Sequence, residues 1–202
     1  MMDKNNKYKI ITIALSIIIL AAIFTIIYVN LPKEEDTNDK KTNGEKQNIF
    51  TITYGDEIIN YTIEDIEKFE EFTGTGTYIK TGWLPDVSLE GPFNFTGVKV
   101  NTILNQIDNL PNNYTVNITS SDGWTTNFNL NTINGQVSIY NESGNITQTG
   151  GVTMILAYKQ EGKYLNESND GPLRVAFIDG DKITSSKLWT KWVISFEIIQ
   201  QI

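Results

Sequence analysis

Residues 152–178 read VTMILAYKQEGKYLNESNDGPLRVAFI. Two apolar runs, Val152–Tyr158 and Leu173–Ile178, flank a polar stretch rich in Lys, Glu and Asn. Neither run alternates apolar with polar, so neither suits a strand with one wet face. A continuous apolar run of this length, bounded by Gly and Pro, reads as a strand buried on both faces. The first is expected to be a central strand of a sheet. The second carries an anomaly at its head, Arg174, the one arginine among 16 basic residues. A guanidinium offers five donors in a planar fork that an ammonium cannot copy.

The chain outward from this stretch is rich in strand signals. Ile49–Tyr54, a Gly55-Asp56 turn and Glu57–Tyr61 predict a hairpin. Thr62 with Asp65 is a capping pattern, and a short helix is expected from Ile63 to about Phe72. Strand character returns at Thr75–Lys80, and a loop with Trp83 and Pro85 leads to Phe93–Gly97. Val100, Ile103, Leu104 and Ile107 fall at i, i+3, i+4, i+7 and predict an amphipathic helix ending near Asn109-Leu110-Pro111. Strands follow at Tyr114–Thr119, Trp124–Leu130, Gln136–Tyr140 and Trp192–Ile199. No internal repeat is visible. The expected class is α+β: mixed, strand-rich, with two short helices.

Before this domain, residues 10–29 form 20 uncharged, largely apolar positions. At about 1.5 Å per residue they would span about 30 Å, the thickness of a bilayer core. The run is longer than the apolar part of a signal peptide and lacks a small-x-small exit, so an uncleaved transmembrane anchor is expected. Lys4, Lys7 and Lys9 precede it, which places residues 1–9 in the cytoplasm and the rest outside, in a single-pass protein of the cell membrane. Residues 30–48 are polar and mixed in charge, and read as a flexible linker to an extracytoplasmic domain at 49–202.

Charge and composition exclude several chemistries. The net charge is −8, and everything after the anchor nets −10, which argues against nucleic acid as a partner. There is no cysteine and no histidine. Disulfides, thiolate metal sites, Cys nucleophiles and imidazole catalysis are therefore absent.

Four spaced segments carry a family likeness: Gly97-Val98-Lys99-Val100-Asn101-Thr102-Ile103-Leu104, then Ser120-Ser121-Asp122-Gly123-Trp124, then Leu156–Leu165 followed by Gly171-Pro172-Leu173-Arg174-Val175, and finally Lys191-Trp192 with its terminal strand. Their order resembles the oxidoreductase molybdopterin-binding domain, the fold of sulfite oxidase and its relatives. The resemblance spans about residues 49–199. It implies a molybdopterin cofactor, with Arg174 beside the cofactor pocket and Ser185, Ser186, Lys187 and Lys191 near a phosphate-binding loop. Hydroxyls with an ammonium suit a phosphate. The residues alone also allow a different reading of each. Arg174 could pair with Asp170 or Asp179 and close a loop, and the Ser/Lys group could be a solvated turn.

One departure matters. Catalytic members of that family hold molybdenum through a cysteine sulfur, in the region that corresponds here to residues 74–83. This stretch, GTGTYIKTGW, offers hydroxyls and no soft ligand, which argues against molybdenum. Asp122-Gly123 reads as a plain turn, and Trp83, Trp124, Trp189 and Trp192 as core or rim packing. Glu64, Asp65, Glu67, Glu70 and Glu71 read as the wet face of a short helix. Seven N-x-[ST] sequons mark a chain rich in Asn and Thr rather than a particular modified site.

The expected function is a membrane-anchored, non-catalytic module that binds an extracytoplasmic ligand or protein in the old cofactor cleft. The alternative is a molybdopterin-dependent oxidoreductase with a thiolate-free metal site.

Overall fold

In a computed structural model the described residues are 47–80 and 87–201. The expected anchor at 10–29, the linker up to residue 46 and Trp83 lie outside them. Among the described residues no helix is long and apolar enough to cross a membrane.

The 49–61 hairpin forms as read: β1 (Phe50–Tyr54) pairs antiparallel with β2 (Glu57–Tyr61). β1 also runs parallel to β13 (Val193–Gln200), which pairs antiparallel with β5 (Tyr114–Ser120), and β5 with β6 (Thr125–Asn129). This gives a five-stranded sheet in the order β2-β1-β13-β5-β6. β5 shows the strict alternation of a sheet with one covered face: Tyr114, Val116, Ile118 and Ser120 are buried.

The second sheet is built on β3 (Glu71–Lys80), β4 (Ser88–Lys99) and β9 (Thr153–Gln160). Its order is β10-β9-β4-β3-β12-β7-β8, with β10 at Lys163–Tyr164, β12 at Ile183–Ser185, β7 at Ser138–Tyr140 and β8 at Ile146–Thr149. β11 (Arg174–Ile178) pairs with β9, setting Arg174 opposite Ala157. All five β11 residues are buried, as are the five central residues of β9, so both apolar runs of the 152–178 stretch are doubly covered strands.

Several expectations are corrected. The first helix, α1, covers Ile63–Ile66 and not the run to Phe72. Its chain continues in i→i−3 turns through Phe69, and Phe72 is taken into β3 opposite Gly97. Cross-strand pairing thus wins over helical propensity there. The amphipathic helix, α2, closes at Leu104 (Val100–Leu104), and Ile107 is buried from tight turns beyond it. A third short helix, α3 (Leu130–Ile133), starts where Asn129 accepts from the Thr132 N–H, so the described residues hold three short α-helices where two were expected. The loop expected before Phe93 is, from Ser88 on, the first half of β4.

α1 is held by a complete capping box. The Asp65 N–H donates to Thr62 Oγ1 (3.2 Å), and the Thr62 N–H donates to Asp65 Oδ2 (3.1 Å). Thr62→Ala is expected to lower unfolding free energy by about 1 kcal/mol, read from the denaturant midpoint at constant slope. The hydrogen bond from Lys68, with the two from Thr62, holds the Asp65 carboxyl well below the usual carboxylate range. Because the folded value is depressed, this stabilisation is whole above about pH 4 and is lost as pH falls through the folded value. Of the five carboxylates read as the wet face of one helix, only Glu64 and Asp65 lie on α1; Glu67 caps it, Glu70 follows and Glu71 opens β3, and all but half-buried Asp65 are exposed. Asp65 pairs with Lys68, and Glu67 and Glu71 accept from the hydroxyls of Tyr164 and Tyr158.

Candidate functional site

Arg174 is the largest fully buried side chain, 1 % exposed at the head of β11. Its position follows from the chain before it. A 3-10 turn (Glu167–Asn169), capped by the Asn166 side chain, ends at Asp170 in the left-handed region (φ 78°). That turn aims the Asp170 carboxylate back at β11. Arg174 Nη1 donates to Asp170 Oδ2 at 2.6 Å, and Lys191 Nζ meets the other oxygen, Oδ1, at 2.7 Å. The Trp192 N–H donates to the Asp170 carbonyl at 3.0 Å, which pins Lys191 and Trp192 to the same point. Asp179, the other partner the sequence offered for Arg174, pairs with Lys182 instead.

Aromatic rings enclose the guanidinium. Its carbon lies 5.2 Å from the centre of the Phe95 ring and 5.5 Å from that of Trp189. Trp189 is fixed by its Nε1–H donating to buried Thr184 Oγ1 at 2.8 Å, and packs against Tyr78 with centroids 4.8 Å apart. Gly76 makes room for it: a Cβ there would lie 2.6 Å from the Trp189 ring. Such desolvated cation–π contacts stabilise by about 2 kcal/mol at best.

They do not satisfy the hydrogen-bonding groups. Arg174 Nε and Nη2 are buried with no partner. These nitrogens form one edge of the planar fork, the edge that grips a carboxylate or phosphate with two parallel hydrogen bonds. A buried donor left unmade costs about 1–3 kcal/mol, and more when charged. Burial pushes the Arg174 pKa below its ordinary value, and the Asp170 carboxylate and then the Tyr78 hydroxyl oppose that shift. The guanidinium thus has one engaged nitrogen and two idle donors, enclosed by protein.

The other residues singled out in the sequence lie nearby but divide into two groups. Ser186, Lys187 and Lys191 line a cleft of about 700 Å³ with Asp122, Trp124, Thr125, Thr126, Asn127, Trp189 and Trp192 among its walls. Ser185 is not on that wall; its Oγ accepts from the Lys187 N–H and starts the 3-10 turn Ser186–Leu188. Arg174 is not on it either. It joins the cleft through Asp170 and Lys191, and through Trp189, which borders both. Asp122-Gly123 is a turn, as read, and its Asp122 borders the cleft. Trp189 is core and Trp192 rim, as expected, whereas Trp124 is 68 % exposed and packs into neither. Sequence reading missed Phe95, Tyr78 and Trp189 as the box around Arg174. No local signal marks them, since they come from β4, β3 and a segment 15 residues downstream.

The donor set around Arg174 bears directly on the cofactor that the resemblance implies. Tyr78, Asp170 and Lys191 are hard or cationic groups, and no thiolate exists in the chain. In the described part of the 74–83 stretch, Thr75 Oγ1 donates to the Gly180 carbonyl and Tyr78 packs on Trp189. These residues do not fit molybdenum, a metal that the fold's enzymes hold through a soft sulfur.

No family model and no curated protein matches the chain. Among solved structures it is similar to the sulfane dehydrogenase SoxCD from Paracoccus pantotrophus, with a TM-score of 0.53 and 15 % identity. The alignment covers 75 % of this chain and 38 % of that one, so this chain spans well under half of the enzyme's length. The likeness is one of fold, and it bears out the sulfite-oxidase-type fold that the sequence resemblance implied.

Proposed function

We propose that this chain is a membrane-anchored, extracytoplasmic binding module, non-catalytic, that uses a sulfite-oxidase-type fold to hold a ligand bearing an oxyanion. The observation that carries the reading is the idle Nε/Nη2 edge of buried Arg174 in a chain without cysteine. Buried Arg174 would be the cationic receptor, and the donor set lacks the soft atom that a redox molybdenum centre needs. The anchor at 10–29 and the linker at 30–48 support a place outside the membrane, on the positive-inside rule. The same idle edge favours one second reading, a molybdopterin-dependent oxidoreductase with a thiolate-free metal site, because a pterin ring or its phosphate would also satisfy it.

The full chain, produced in a molybdopterin-making host and purified in detergent, is expected to carry no stoichiometric molybdenum. The measurement is elemental analysis together with assay of the fluorescent pterin oxidation product. Near-stoichiometric metal and pterin would overturn the non-catalytic reading in favour of the second. Pterin without metal would make the pterin the oxyanion ligand and leave the module non-catalytic.

A further inference from the structure

The cleft beside Trp189 has a chemistry of its own that the Arg174 receptor does not use. Trp124 stands at its mouth, 68 % exposed. An exposed indole normally swings freely, but this one is held. Its Nε1–H donates to Thr126 Oγ1 at 3.1 Å, and its backbone N–H donates to Asp122 Oδ1 at 3.0 Å. Thr126 in turn accepts from Thr190 at 3.3 Å, which ties the start of β6 to the segment after the Ser186–Leu188 turn. A large apolar face is thus presented to solvent in a fixed orientation, with Trp189 and Trp192 on the remaining walls.

Between these rings the walls are hydroxyls and amides: Thr125, Asn127 and Ser186, with no charged pair among them. The cations are Lys187 and Lys191. Lys191 is committed to Asp170. Lys187 is exposed and has no carboxylate partner among the described residues. The only carboxylate on the wall, Asp122, accepts the Trp124 N–H on Oδ1 and keeps its charge.

Indole faces alternating with hydroxyl and amide edges match a pyranose ring, which has an apolar C–H face and a rim of hydroxyls. A lipid chain would leave the polar walls unpaired. A nucleic acid strand would stack on the rings but would bring its phosphates into a domain that nets −9. One uncommitted ammonium suits a single negative charge rather than a polyanion. The volume lies within the range of about 300–1,000 Å³ usual for small-ligand sites.

We propose that this cleft binds a carbohydrate that carries one carboxylate, with a sugar ring stacked on Trp124 and the carboxylate on Lys187. The site is independent of whether Arg174 holds a ligand. The test is calorimetry on the full chain in a polyoxyethylene detergent, because a sugar-headed detergent would compete. The probes are cellobiouronic acid, its neutral counterpart cellobiose, and acetate. Cellobiouronic acid is expected to bind about tenfold tighter than cellobiose, and acetate not detectably. Trp124→Ala, a change at the surface, is expected to weaken both sugars at least about tenfold. Lys187→Gln is expected to bring the uronate down to the level of cellobiose. Equal binding of the two sugars would overturn the charged half of the proposal. Binding of acetate as tight as that of the uronate would overturn the sugar half, and no binding of either sugar would overturn both. A cooperative thermal melt of the same sample shows that the protein is folded, and a separate titration with pyrophosphate, compared with an Arg174→Met sample, separates these failures from failure of the oxyanion reading.

Discussion

Arg174→Met should weaken pyrophosphate binding about a hundredfold while leaving the domain as stable as before, or more so. Two hydrogen bonds from a charged donor edge contribute about 1.5–3 kcal/mol each, and even the lower pair of values gives a hundredfold. Stability moves the other way for a physical reason. The wild-type side chain buries two nitrogens with no partner, and methionine of similar volume removes that penalty. Its sulfur would also lie between Phe95 and Trp189, a contact that aromatic rings favour. The usual danger in removing half of an ion pair is a stranded charge. Here Asp170 keeps Lys191 at 2.7 Å and remains partly exposed, so it is not stranded. Arg174→Lys is the control: it keeps the charge and loses the fork, and should recover only a small part of the affinity. Titration calorimetry and thermal melts on the same samples check both halves. A loss of several kcal/mol in stability, with pyrophosphate binding unchanged, would make Arg174 a structural residue and end the oxyanion reading.

Gly97→Ala is expected to cost the fold heavily. Gly97 lies where β4 shifts register against β9, between Thr96 and Gly97. A Cβ there would lie 2.3 Å from the Leu156 carbonyl oxygen and 2.6 Å from the Ala157 Cα. Both are backbone atoms of a strand covered on both faces, so neither can move aside as a side-chain tip would. Overpacking a core by one methyl costs about 1–3 kcal/mol when side chains can adjust. With backbone on the other side the expected loss is about 3 kcal/mol or more, seen as a collapse of the denaturant midpoint or as insoluble expression. Near-wild-type stability would mean that β4 and β9 do not approach so closely in solution.

How much of this was legible in the sequence varied with the range of the interaction. The hairpin at 49–61 and the alternation at 114–120 were readable because a two-residue turn and a period of two are local facts. The 152–158 and 173–178 runs were readable as covered strands because no face of either offers a polar stripe. The first half of β4 was hidden by Gly91-Pro92, which breaks the pattern of a strand that nonetheless pairs with β3 on both sides of it. β8 was hidden because all four of its residues are exposed, so it carries no apolar signal. The two helices were read too long because Phe72 and Ile107 fit the helical period, while strand pairing and tight turns decided their fate.

At the site, Arg174 stood out by being alone, and its partner Asp170 lies four residues before it. The rest was invisible. The rings around the guanidinium come from positions 78, 95 and 189, and the cleft joins residues 120–127 to 186–192. Nothing in either segment announces the other.

The five-stranded sheet has one more consequence. Its middle strand is β13, the last in sequence, held between β1 and β5. Until residues 193–200 arrive, the β1–β2 and β5–β6 hairpins are two separate pieces, each with an open inner edge. Closing that gap joins residues about 140 positions apart, such as Ile52 and Phe196. Contacts of such long range are slow to form, and open edges recruit neighbouring chains in the meantime. The domain therefore assembles like a zip fastened from its far end, and its exposure to aggregation lasts until the final strand is seated.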